Sequence, residues 1–122
     1  MALPAHATEW MDCSDPTNSI SIRVLLGAMD VIAVNTVEIV ASGAKWSTAG
    51  GEGVTLITNG QAFETAEQIW IDMTDEAVNE VVARLRLFKA LDDGGEGDTA
   101  TVLGGTLAMP GVGAWPVSCS GP

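Results

Sequence analysis

Ile20, Ile22, Val24 and Leu26 alternate with Ser19, Ser21, Arg23 and Leu25, and this two-residue period recurs down most of the chain. Successive side chains of a strand point to opposite faces, so a period of two writes one buried face and one outer face into the backbone. A chain patterned this way must pair its strands and close an apolar interior between them. Val31 to Ala41 is a second such run, rich in Val, Ile and Thr, with a phase slip at Asn35 and Thr36 that suits a bulge. The glycines of "SGAKWSTAGGEG" leave room for a short strand around Lys45 to Thr48 and then a loop. Val54 to Thr58 alternates again before Asn59-Gly60, a dipeptide that predicts a turn. Ile69, Ile71 and Met73 alternate with Gln68, Trp70 and Asp72, while Thr99 to Ala108 and Gly113 to Ser118 read as closing strands.

Two readings compete from Asp75 to Leu91. As a helix, Thr74 caps, Val78, Val81, Val82 and Leu85 share a face, and Glu80 pairs with Arg84. As a strand, Val81, Ala83, Leu85 and Leu87 point one way and Val82, Arg84, Arg86 and Phe88 the other. The unbroken alternation favours the strand, because Leu87 falls off the helical stripe. The expectation is an all-β single domain over residues 10–122, a β-sandwich or flattened barrel of about 7–9 short antiparallel strands, with one helix at 75–91 as the alternative.

The termini bear on compartment. Ala5-His6-Ala7 before Thr8-Glu9 has the small-x-small form that signal peptidase accepts, so residues 1–9 read as the remnant of an export signal, with an ordinary disordered N-terminus as the alternative. Cys13 and Cys119 stand near opposite ends of the 122 residues. A bond between them would place the first and last strands side by side or on facing sheets. Closing so long a loop stabilises a fold by roughly 4–5 kcal/mol in the chain-entropy model. Bacterial periplasm or the cell exterior, where such bonds persist, is the expected location; two buried thiols in the cytosol are the alternative.

Composition narrows the chemistry. Hydrophobic residues are 47% and charged residues 17%, well inside the range that folds. Sixteen Asp and Glu against five Lys and Arg give a net charge of −11, which repels phosphate backbones, so nucleic acid is not an expected partner. No apolar run reaches the roughly 18–20 residues of a membrane-spanning helix. His6 is the one histidine, which argues against histidine-based catalysis and His-ligated metal sites. No cofactor or metal is expected. The acidic glycine loop 92–98, "DDGGEGD", offers oxygens of the kind calcium takes but lacks the spacing of known calcium loops, and reads as a hairpin loop. Gly50-Gly51-Glu52-Gly53 lacks the lysine of a phosphate loop.

Four tryptophans and two phenylalanines are the only aromatics. Trp115, close to Cys119, reads as core. Trp70 shares the outward phase with Gln68 and Asp72 and is the best candidate for an exposed ring, either a stacking platform for a sugar or an anchor for a protein. Ser42, Lys45 and Trp46 form the other candidate surface. Ser42-Gly43-Ala44-Lys45-Trp46 resembles the Ser-Gly-x-x-Tyr motif of the C-type periplasmic lysozyme inhibitors, with Trp in place of Tyr. The resemblance covers five residues and lacks the family's second motif, an aromatic followed by a Lys-Gly pair. It implies an exported, disulfide-tied inhibitor that inserts its 42–48 loop into a secreted hydrolase such as lysozyme. Taken together, the residues themselves point to an exported, non-enzymatic binding or structural module of the bacterial envelope with a protein or glycan partner.

Overall fold

The two-residue period resolves into nine strands: β1 Glu9–Ser14, β2 Ile20–Gly27, β3 Ala33–Ala41, β4 Ala44–Ser47, β5 Thr55–Glu64, β6 Gln68–Asp75, β7 Val81–Asp93, β8 Thr99–Met109 and β9 Gly113–Ser120. They are seen in a computed structural model that describes residues 9–27, 33–93 and 99–120. The triplet at residues 5–7 and the glycines of the 92–98 loop lie outside the described residues.

The strands join in chain order into one closed barrel. Every pairing is antiparallel except the short β4–β5 contact, which is parallel through Trp46↔Thr55 and Ser47↔Leu56. Closure by β1 against β9 replaces the free edges that an open sandwich would carry. Inward positions fill the lumen: Met11, Ile22, Val24, Ile39, Ile71, Met73, Leu85, Leu87, Leu107 and Met109 are each at most 1% exposed. A barrel of this size is filled by its own side chains, and each such residue contributes roughly 1.5–3 kcal/mol of burial. Arg23, Asp12, Glu38 and Arg84 stand on the outer surface. Apolar inside and charged outside is the reverse of the alternation that a lipid-facing barrel requires.

The helix alternative at 75–91 is overturned, and no helix occurs among the described residues. A tight turn takes its place: the Val78 amide donates to the Asp75 carbonyl, and the Asn79 amide donates to Asp75 Oδ1 at 2.7 Å. β7 then carries Ala83, Leu85 and Leu87 inward and Arg84 and Phe88 outward. The phase slip in β3 is a bulge, since Leu25 pairs with Thr36 and Leu26 with Val34, which leaves Asn35 as the extra residue.

Asn59-Gly60 is not a turn. β5 runs through it to Glu64 with an irregularity between Asn59 and Ala62. Glycine is required there by close approach, because a Cβ at Gly60 would sit 2.7 Å from the Asp72 carbonyl oxygen. The true reversal comes at Thr65, whose amide donates to the Gln68 carbonyl.

The barrel closes where the cysteines stand. β1 and β9 share only three residue pairs, with Cys13 directly opposite Cys119 in the middle and the two sulfurs bonded across 106 residues of chain.

Candidate functional site

The outer face of β5, β6 and β7 carries the largest exposed rings of the described residues. Phe63 on β5 pairs with Trp70 on β6, Trp70 with Arg86 on β7, and Gln68 with Phe88, so alternate residues of three neighbouring strands share one surface. Phe63 is 55% exposed, Trp70 44% and Phe88 60%. Opposite Phe88 on β8 stands Gly104, which adds no side chain to cover the ring.

Between Phe63, Thr65, Gln68 and Trp70 lies an open cleft of about 290 Å³. Its walls are held from several sides. The Trp70 indole Nε1–H donates to Gln68 Oε1 at 2.6 Å, which fixes the ring direction. The Arg86 guanidinium lies 4.7 Å from the Trp70 ring centre, a cation–π contact. Arg86 Nη1 also approaches Asp72 Oδ1 at 2.7 Å. That approach is an ion pair without a directed hydrogen bond, since Oδ1 receives none while Nη1 donates to the Leu85 carbonyl at 3.1 Å.

The β5–β6 turn is built by Thr65. Its Oγ1 accepts from the Glu67 amide at 3.1 Å and from the Gln68 amide at 3.0 Å. Lys89 ties the turn to β7, donating through its backbone amide to the Glu67 carbonyl and through Nζ to Glu64 Oε2 at 2.6 Å. The cleft therefore sits on a hairpin braced against a third strand. None of its four lining side chains exchanges a proton near neutral pH. It can hold a ligand by ring contact and by neutral hydrogen bonds.

The candidates from the sequence do not converge. Ser42 and Gly43 form the two-residue turn between β3 and β4, with φ of 52° and 78°. Positive φ at both central residues is what a hairpin turn of this length needs. Ser42 and Lys45 are exposed, but Trp46 is half-buried, pairs with Ile39 and packs against the core. Trp46 meets β5 at Thr55, whereas Trp70 meets it at Phe63, roughly 25 Å further along the strand at the usual rise per residue. Trp70 is the exposed ring that its phase predicts. Phe63 escapes a reading of the sequence that ends its strand at Thr58, before a turn at Asn59-Gly60. Phe88 and Arg86 share an outward phase on β7, and that shared phase is the signal that would have found them.

Among the described residues, no cluster of three or more His, Cys, Asp or Glu is arranged to hold a metal ion. No protein-family model matches the chain, and no curated protein or solved structure shows significant similarity to it.

Proposed function

We propose that this protein is an exported, non-enzymatic binding module of the bacterial envelope, and that it meets its partner through the outer face of β5, β6 and β7. One observation carries the reading: Phe63, Trp70 and Phe88 lie exposed together on a barrel whose interior is lined with buried apolar side chains. Apolar rings left in water on one side of a small protein cost solvation free energy, and the largest exposed apolar patch of a small protein is often its contact site. The bracing of the hairpin by Lys89 supports the reading, since a surface ordered beforehand loses less entropy on binding. The bonded Cys13 and Cys119 support an oxidising compartment.

The inhibitor alternative rests on Ser42 to Trp46 as an inserting loop. Trp46 is half-buried and packs against the core, which leaves less of an aromatic tip for such a loop, so the aromatic face is the stronger ground.

The test is site-specific photocrosslinking in cells that export the protein. A benzophenone amino acid at Phe63 or Phe88 is expected to give adducts, and one at Val40, exposed on β3 two strands from Phe63 and four from Phe88, is expected to give none. Equal labelling at all three positions, or none at any, would refute the reading.

A further inference from the structure

We infer that the cleft between Phe63 and Trp70 binds an uncharged carbohydrate, with one pyranose ring laid flat against the indole and its hydroxyls reaching Gln68 and Thr65. This deepens the proposed binding function and rests on it.

Three observations converge. The first is the mixture of groups. Two ring faces stand beside an amide and a hydroxyl whose hydrogen-bonding capacity is only partly used. Gln68 accepts from Trp70 through Oε1, while its Nε2 donates to no described residue. Thr65 Oγ1 accepts two amide protons and donates to no described residue. A pyranose with equatorial hydroxyls matches this pattern, because it presents an apolar C–H face to a ring and polar groups around its rim. A purely apolar ligand such as an acyl chain would leave the Gln68 and Thr65 donors without partners.

The second observation is charge. The chain carries −11, and beside the cleft Arg86 pairs with Asp72 and Lys89 with Glu64, while Glu67, in the turn between Thr65 and Gln68, forms no ion pair among the described residues and adds negative charge at the rim. The lining itself is neutral. An anionic ligand would meet the repulsion of the whole molecule with no unpaired cation lining the cleft, so a neutral polyhydroxylated ligand is the complement.

The third is size. At exposures of 55%, 44% and 60%, the three rings offer roughly 300 Å² of surface. A standard protein interface buries about 800 Å² on each partner. A protein partner would have to reach well beyond these rings to bury that area, whereas a cleft of about 290 Å³ by itself accommodates a sugar ring or two.

The experiment is an NMR titration of the ¹⁵N-labelled, disulfide-bonded protein with cellotetraose and, separately, chitotetraose. The expected result is saturable shifts with at least one of them, confined to the amides of residues 63–70 and the Trp70 indole N–H. Trp70→Ala should weaken the interaction at least about tenfold, Trp70→Phe less, and Val40→Ala not at all. These positions lie on the outer surface, and the dispersion of each variant's spectrum reports whether the barrel is intact. Absence of shifts with both sugars, or shifts that survive Trp70→Ala, overturns the carbohydrate assignment. If the same amides shift with protein concentration and ignore sugar, a second copy occupies the face, and the carbohydrate falls while the binding face stands. Crosslinking at Phe63 without any response to sugar likewise overturns the carbohydrate alone.

Discussion

Asp15 shows how much one side chain can organise. Buried at the β1–β2 turn, its carboxylate accepts from the Ser19 hydroxyl at 2.7 Å, the Ile20 amide at 3.1 Å, the Thr17 hydroxyl at 2.8 Å and the Ser19 amide at 2.6 Å. The Ser19 hydroxyl most of all, with the Ile20, Thr17 and Ser19 donors helping it outweigh the opposing effect of burial, holds the Asp15 carboxyl well below the usual carboxylate range. The ordinary value for this group, kept in the unfolded chain, is 3.8. A group whose pKa is depressed on folding stabilises the fold above its unfolded value, and that stabilisation is lost as pH falls toward the folded one. Asp15→Asn, which can never ionise, should therefore unfold at lower urea than the parent near neutral pH, and the gap should narrow below about pH 4. Urea midpoints taken across this range check it; a constant gap would show that geometry, not charge, accounts for the effect.

At the scale of the strand, β7 and β8 form the longest ladder of the barrel, from Arg84↔Ala108 to Asp93↔Thr99. Two glycines stand side by side in it for different reasons. A Cβ at Gly105 would run into the Arg86 carbonyl oxygen, whereas one at Gly104 would meet the Val117 carbonyl oxygen at an ordinary 3.5 Å. Gly105→Ala should cost at least about 2 kcal/mol and Gly104→Ala under about 1 kcal/mol, a contrast that thermal unfolding of the two variants resolves. The sequence shows the two glycines but not this difference, because it arises from the neighbouring strand. The same limit governs the rest of the reading. The inward residues of β2, β6 and β7 and the Asn35 bulge were legible, since alternation is a property of the segment itself. Asn59-Gly60 misled, because its turn preference is local while the close approach of Asp72 is tertiary. Half of the cleft was lost with it: Trp70 was visible from its own strand, and Phe63 becomes its neighbour only once β5 is known to continue.

For the molecule as a whole, the closure is the shortest antiparallel ladder of the barrel. Only Asp12↔Ser120, Cys13↔Cys119 and Ser14↔Ser118 join β1 to β9, so the covalent bond and this short ladder carry the circuit together. Replacing Cys13 and Cys119 by alanine should lower stability by about 2–5 kcal/mol, measured as a drop in the denaturant midpoint of the variant against the oxidised parent. Mass spectrometry of the parent should show a gain of two hydrogens on reduction and no alkylation beforehand. Cavity formation at the buried Cys13 adds to the entropic loss, so reduction of the parent alone should cost less than the double substitution.

A ring of nine strands joined in sequence order has no privileged starting point. Because β1 and β9 are neighbours, a short linker could join them and new ends could be cut at the exposed Ser42–Gly43 turn, leaving every strand pairing in place. In that circular permutant the pairing of β1 with β9, the most distant along the chain, becomes a hairpin, and the β3–β4 hairpin becomes the long-range one. The native barrel would be the same object in both molecules, while the order in which its seams can zip would be reversed.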